Sequence, residues 1–529
     1  MYDELNRFCY NGHMDRRHFV RTVVLGFGAA RLFGQGHQPP INCAPPSHGA
    51  PKHITFDARV PVLPRKSVWD LNSGELARLN AAYQELRNLY TKNPNDPRGW
   101  MQQANVHCFN CSGGYDPSNV EIHGSWWFMP WHRCYLHVHE RILGKLIGDP
   151  TFRLAYWDWD TYPSHAMLPP PFVPPGPLFD QFRGAGAADV IPSDITGQLA
   201  MQTVLGTQST AGFMGKLSDP SNNQYYPGAL ENSPHGPVHI WTGDANPGQS
   251  PEPTGCYYPT SDPSGPIVDQ SPNCLDMGVL SNAAQDPIFF AHHSNIDRLW
   301  DVWLGMPGSQ GNPKDAGWKD QRFNFFDENG DWVYMTVADV LTSNEQSNLR
   351  YTYQAPTAVS AAKSHAPKSS KTALKAVKPL MIASAAEAIA VGTKPHTQSV
   401  AVPLEHQQNL KLLAANGKNP ATHYVLHIDG LTVPPNEGVI LHVFADEPNA
   451  SRETKLGASF VGTFSVVPTG HRDHEHPIVR NASFELRPET AALIAAQKSL
   501  TVTLVPKLAN GAEPKKSNLT YKRIYLSVE

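Results

Sequence analysis

The chain has 529 residues, a formal net charge of −4 and 40% hydrophobic residues, with 12 Trp and 21 Phe. That length holds two or three domains around a large core, and the aromatic content is not that of a disordered chain. The near-neutral charge gives no electrostatic case for nucleic acid, and no run of 18 apolar residues exists to cross a membrane as a helix.

Taken in chain order, the first feature is Asp15-Arg16-Arg17-His18-Phe19-Val20, followed by VVLGFGAARLFG. Twin arginines before an apolar stretch read as a Tat-like export signal, although Arg21 and Arg31 interrupt the run. Residues 1–41 are therefore expected to be an N-terminal arm or signal. The protein is expected to be exported, periplasmic or secreted, and otherwise cytoplasmic. The short leader contains acidic residues and no Ser-rich stretch, which points to a bacterial source.

Residues 42–354 read as one domain. SGELARLNAAYQELRNLYT at 73–91 carries apolar residues at helical spacing, and His107 is expected in a loop beside Cys108. Helices are predicted over 131–147, with His132 in the first turn, and over 231–241, with His235 and His239 one turn apart. A further helix is predicted over 286–304, opened by Asp286-Pro287. The Pro- and Gly-rich stretches 162–177 and 245–273 are loops. Residues 355–395, rich in Ala, Ser and Lys, read as a linker. Beyond it YVLHIDGLTV, GVILHVFAD, ASFVGTFSVV, SLTVTLVP and RIYLSVE predict an all-β sandwich over 396–529.

The chemistry sits in HGSWWFMPWHRCYLHVHERIL at 123–143 and HHSNIDRLW at 292–300. With His107, His235 and His239 these give two sets of three imidazoles. The first is His107, His123 and His132; the second is His235, His239 and one of His292 or His293. Residues at i and i+4 share a helix face and reach one ion. Imidazole suits copper, zinc, iron and nickel alike. Four helices presenting imidazoles inward make a bundle with a metal pair in its core. Trp126, Trp127, Phe128, Phe289 and Phe290 are expected to exclude water, and Asp297 and Asn295 to orient the ligand rings. Two further histidine groups stand apart from these: His137 with His139, and GHRDHEH at 470–476 (His471, His474, His476), which reads as an aid to metal loading. The latter is as well read as a solvated loop.

Six segments in order, HCFNC, PWHR, ERILGKLIGDPTF, ENSPHGPVHIWTGD, DPIFFAHHSNIDRLW and FFDENG, make the stretch from Arg59 to Tyr353 resemble the type-3 copper proteins. These are the tyrosinases, catechol oxidases and hemocyanins, and the plant-type polyphenol oxidases are most similar. The resemblance implies two copper ions with dioxygen as co-substrate, small phenolic substrates and a mainly α catalytic domain. It implies His293 rather than His292 as the sixth ligand. It further implies a Cys43–Cys108 disulfide, a thioether from Cys111 to His123, and Glu231 as an acid that holds a water near the site. Leu280 stands where relatives place a Phe over the second copper. Arg59 resembles the packing partner of a Tyr-x-Tyr element, here Tyr351 and Tyr353. Cys256 and Cys274 flank an insertion and are a candidate disulfide. The β-sandwich resembles the lid of latent forms. The activity implied is oxidation of o-diphenols to o-quinones. Ortho-hydroxylation of monophenols is left open, because Gly236 follows His235 where some monophenol-active relatives carry Asn. The rival reading is a hemocyanin-like dioxygen carrier. No nucleic-acid or membrane partner is expected, and a homo-oligomer is left open.

Overall fold

The computed structural model describes residues 46, 48–111, 120–180, 182–243, 276–341, 348–355, 380–401, 423–433, 438–468, 478–496, 499–514 and 517–528. The expected arm over 1–41, Cys43, Cys256, Cys274 and GHRDHEH lie outside them. Among the described residues no helix is long and apolar enough to cross a membrane.

Strands β1 (Lys52–His53) and β2 (Leu63–Arg65) precede helix α1 (Ser73–Lys92). A reciprocal cap starts α1: Asn72 Oδ1 accepts the Glu75 amide, and Glu75 Oε2 accepts the Asn72 amide. Helices α2 (Trp100–Asn110), α3 (Phe128–Leu146), α4 (Gly236–Gly243) and α5 (Ile288–Leu304) follow. Helices α3 and α5 are buried on nearly every side, which marks them as the centre of the domain. Around them β3 (Arg322–Phe326) pairs antiparallel with β4 (Trp332–Thr336), and β1 joins β4 in parallel. Strand β5 (Tyr351–Tyr353) returns to pair in parallel with β2.

Three expectations change here. His107 is in the last turn of α2, not in a loop. The helix is short, and burial of Met101, Ala104, Val106 and Cys108 holds it where periodicity alone gave little signal. The predicted 231–241 helix is broken. Glu231–His235 is a wide π-type turn with Ser233 in extended conformation, and the regular helix begins only at Gly236. Pro234 has no amide hydrogen to continue a regular helix. Finally, residues 380–391, read as linker, form strand β6 (Leu380–Val391). Its Ala-rich composition hid a strand whose ladder is supplied entirely by a distant partner.

The C-terminal part is a sandwich of two four-stranded sheets. One runs β10 (Phe460–Val466), β9 (Val439–Ala445), β12 (Ser499–Lys507) and β7 (His396–Ala401). The other runs β11 (Ile478–Glu485), β8 (Tyr424–Val433), β13 (Leu519–Val528) and β6. Every pairing in both sheets is antiparallel. Leu426, Ile428, Leu441, Val443, Phe464, Val502, Leu504 and Ile524 fill the space between them.

One buried network ties the helical domain together. Asp297 on α5 accepts hydrogen bonds from Arg133 of α3, from Tyr351 Oη (2.6 Å) and from Tyr353 Oη (2.5 Å). Arg65 on β2 lies 3.6 Å over the Tyr351 ring and donates to Glu140 Oε2 (2.8 Å) and to Tyr353 Oη (3.0 Å). The partner of the Tyr-x-Tyr element is therefore Arg65. Arg59, expected in that role, is exposed and bonds its neighbour Asp57. The reason is reach: Arg65 enters β2, whose pairing with β5 brings it beside both tyrosines. Breaking a fully buried pair leaves an uncompensated charge, so Arg65→Ala is expected to cost about 3–5 kcal/mol. Arg59→Ala should leave the melting temperature unchanged, and thermal unfolding of both variants checks this.

Candidate metal centre

The buried helices bring seven histidines into two groups. Ligand-capable atoms of His107, His123 and His132 lie within 4.8 Å of one another, and so do those of His235, His239, His292 and His293. None of these side chains is more than 2% exposed. Helix α2 supplies His107, the segment before α3 supplies His123, and α3 supplies His132. The π-type turn carries His235, α4 carries His239, and α5 carries His292 and His293. The groups meet face to face: the His132 and His293 rings stack at 4.2 Å with 9° between their planes.

Main-chain carbonyls orient the rings. His132 Nδ1 donates to Phe128 O at 2.7 Å, His235 Nδ1 to Glu231 O at 3.3 Å, and His239 Nδ1 to Met277 O at 2.9 Å. Each bond fixes the tautomer and leaves Nε2 with a free lone pair. Asp297 and Asn295, expected to orient the rings, do not. Asp297 is committed to Arg133 and the tyrosines, and Asn295 to Asp160 and Arg298. Among the described residues, His132 Nε2, His235 Nε2 and both ring nitrogens of His123 make no hydrogen bond. His239 Nε2 and His293 Nε2 lie 3.2 Å apart. Lone pairs that close call for a cation or a proton between them. Burial depresses the imidazoles, His132 to about 3 and His239 to about 4, and takes His123, His235 and His293 well below their ordinary value. His123, His132, His235, His239 and His293 thus present neutral, converging ring nitrogens, which fits a pair of borderline-soft metal ions.

His292 and His293 differ in their surroundings. Trp159 Nε1 donates to His292 Nδ1 at 3.0 Å, whereas His293 faces both His132 and His239. Of the expected aromatic wall, Phe128 lies 4.5 Å from the His235 ring and Phe289 lies 4.1 Å from that of His293. Phe290 stacks instead on His139 at 3.5 Å, and Trp126 and Trp127 pack on each other.

Beside the second group is a chamber of about 20 Å³, lined by His123, Glu231, His235, Gly236, Leu280, Ser465, Val466, Val467 and Arg480. That is room for a single water. Glu231 Oε1 accepts the Gly124 amide at 2.5 Å, and its Oε2 makes no hydrogen bond among the described residues. Burial raises its carboxyl to about 8, with the Arg480 guanidinium opposing. Leu280 donates its amide to Pro468 O at 2.8 Å, so it sits directly under the β-domain. Sequence reasoning missed the lining residues that the β-domain supplies, Ser465, Val466, Val467 and Arg480. Arg480, on β11, lies 4.5 Å over the Tyr225 ring with Nε and Nη1 unbonded among the described residues. Ser465 Oγ donates to Asn232 O at 2.7 Å. Glu121 accepts the His123 amide at 2.7 Å. No local signal marks Arg480 or Ser465, because their proximity comes from residues far apart in the chain, whereas Glu121 is two residues from His123. Cys111 is a buried thiol whose Sγ–H donates to Cys108 O at 3.2 Å. Cys108 is disulfide-bonded.

A helical domain converging two histidine groups, closed by a β-sandwich, defines the class of dinuclear type-3 copper proteins. Residues 97–184 and 186–306 match the common central domain of tyrosinase, 312–364 the polyphenol oxidase middle domain, and 401–519 the chloroplastic polyphenol oxidase C-terminal domain. The chain is 30% identical to a chloroplastic polyphenol oxidase of Malus domestica, over 88% of this chain and 79% of that one. It is also 30% identical to polyphenol oxidase C of Solanum lycopersicum, over 88% and 74%. Its fold superposes on latent apple tyrosinase with a TM-score of 0.67 at 25% identity, covering 90% of this chain and all of that one. Latent aurone synthase gives 0.69 at 24%, covering 94% and 95%. The chain belongs to the tyrosinase and polyphenol oxidase family of copper oxidoreductases, in its plant-type domain arrangement.

Two outcomes follow for the metal. His293→Ala is expected to lower the copper content by one ion per chain, while His292→Ala keeps both, as elemental analysis of purified protein would measure. Imidazoles held below their ordinary value stay neutral to lower pH, so protons compete with metal only in more acid solution. Copper affinity of the metal-free protein is therefore expected to stay nearly flat from about pH 7.5 to 5.5 and to fall only below about pH 4. Equilibrium dialysis against copper checks it; a tenfold loss already at about pH 6 would contradict it.

Proposed function

We propose that this protein oxidises o-diphenols to o-quinones with dioxygen and is latent because its C-terminal domain covers the site. In this reading one copper is held by His107, His123 and His132, and the other by His235, His239 and His293. The crosslink from Cys111 to His123 and the disulfide from Cys43 to Cys108 belong to the same proposal. When bound, the copper pair supplies redox chemistry on dioxygen that side chains lack.

The chain's own residues do the rest. Phe128 and Phe289 exclude water around the imidazoles. Glu231 offers an unbonded Oε2 toward the chamber. In this reading the Glu231 carboxyl, in its ionised form, takes the proton of the incoming hydroxyl. Leu280 borders the path to the second histidine group. Diphenol oxidation needs only this positioning; hydroxylation of a monophenol is the finer reading. In the closed form, a side chain at Gly236 would meet Ser465 Oγ at 2.1 Å from its Cβ. The relatives named above are chloroplastic, and for this chain an exported or plastid location remains part of the proposal.

The observation that carries latency is the seating of β10 and β11. Ser465, Val466, Val467 and Arg480 leave no room for a phenol beside His235. The contact is held along its rim. Asp194 Oδ2 accepts His442 Nε2 at 3.0 Å and also pairs with Lys507. Glu485 Oε2 accepts the Gln208 and Ser209 amides at 3.1 and 3.0 Å, and Asn481 donates its amide to Tyr225 O at 2.8 Å. Because these contacts do not pass through the connecting segment, proteolysis within 356–379 alone should leave the rate nearly unchanged. The same cleavage followed by mild detergent is expected to raise initial catechol oxidation by at least about tenfold at matched copper content. Equal rates for uncut, cut and detergent-treated protein would make the β-domain an assembly module instead.

A further inference from the structure

A cavity of about 410 Å³ opens along α3, and none of the seven clustered histidines lines it. Its volume lies within the roughly 300–1,000 Å³ of small-molecule pockets. His137 faces it, five residues after His132 and so turned by roughly 140° around the same helix. The side chain is only 5% exposed, yet neither ring nitrogen makes a hydrogen bond among the described residues. Burial keeps the ring neutral, aided by the positive field of Arg141, Arg65 and Arg153. A neutral imidazole carries one N–H donor and one lone-pair acceptor. Leaving both unmade in a buried position is costly unless a partner arrives.

The rest of the wall has a matching character. The Phe56 ring is 5.8 Å from that of His137, and Phe152 lines the same cavity. Arg141 is committed to Glu328 Oε1, while Glu328 Oε2 has no hydrogen bond among the described residues. Lys145 is exposed at the cavity and has no ion pair among the described residues. The pocket therefore offers apolar ring faces, a hydrogen-bonding imidazole in its wall and, among the described residues, two cations without an ion pair, Lys145 and Arg350. Arg350 donates its Nε to Val60 O at 2.8 Å, while the carboxylates of Asp57, Glu140 and Glu328 are each held by an arginine.

We infer that this cavity is a second small-molecule site, which takes a one-ring aromatic carboxylic acid bearing a phenolic hydroxyl. The hydroxyl meets His137, the ring lies against Phe56 and Phe152, and the carboxylate pairs with Lys145. The site binds without chemistry and needs no metal. It is independent of the copper reading.

The test uses the full chain stripped of copper, so that binding through the metal is removed, with 4-hydroxybenzoate as the probe in calorimetry. One equivalent is expected to bind. His137→Leu and Lys145→Ala are each expected to weaken binding by at least about tenfold. Benzoate, lacking the hydroxyl, is expected to bind more weakly and to be indifferent to His137→Leu. Lys145 is exposed, so Lys145→Ala keeps the fold and decides the matter if His137→Leu does not fold. Absence of binding to the copper-free wild type, or unchanged affinity in Lys145→Ala, would overturn the site. Neither result touches catechol oxidation, which is measured separately on copper-loaded protein.

Discussion

The metal centre depends on one buried carboxylate. Asp297 lies four residues after His293 on α5 and binds Arg133, which follows His132 on α3. A single ion pair thus sets the separation and register of the helices that carry one histidine from each group. Its remaining oxygen is taken by Tyr351 and Tyr353, and Arg65 closes the circuit to Glu140 on α3. A charge so deep in the protein is tolerable only with every partner in place. Strands β2 and β5, from the two ends of the helical domain, exist largely to deliver those partners.

With the helices held, burial does the electrostatic work. Taking the imidazoles out of water suppresses protonation, and main-chain carbonyls take up the Nδ1 hydrogens of His132, His235 and His239. Among the described residues, Nε2 of His132 and Nε2 of His235 have no protein partner. Holding such groups without a metal costs stability, and this is why the site prefers occupation. Two of the three carbonyls lie four residues before the histidine itself, on helix α3 for His132 and on the π-type turn for His235, so local backbone orients those rings. The third comes from Met277, near Leu280, which lies under the β-domain.

The β-sandwich extends the same logic. Its edge strands β10 and β11 and the residue after β10 bring uncharged Ser465, Val466 and Val467 against the chamber, and a guanidinium, Arg480, beside Glu231. Its rim contacts are polar and partly charged, as at Asp194 and Glu485. Such contacts are specific but yield to detergent or a change of conditions more readily than an apolar core does. A cover of this kind can be released without unfolding what it covers.

Much of this was legible in the chain. The histidine spacing, the aromatic and arginine frame around it, and the alternating strands of the C-terminal part were enough for a helical core followed by a β-sheet domain and for the histidines that cluster in that core. Local patterns carry that information because helix and strand periodicities are properties of neighbouring residues. They failed where the partner is distant. Arg59 and Arg65 are both arginines ahead of the first helix, and only the β2–β5 pairing distinguishes them. Asp297 reads as well placed to orient a histidine until Arg133 and two tyrosines claim it. Strand β6 is Ala-rich and became a strand because β13 offered its edge. Arg480, Ser465 and Val467 belong to the site only because the sandwich docks there. The sequence by itself determined which residues could hold metal and the strongly periodic helices and strands, but not α2, the break at Ser233 or β6. Tertiary structure alone decided which buried charge finds which partner, because desolvation removes every choice except the group that folding brings within reach.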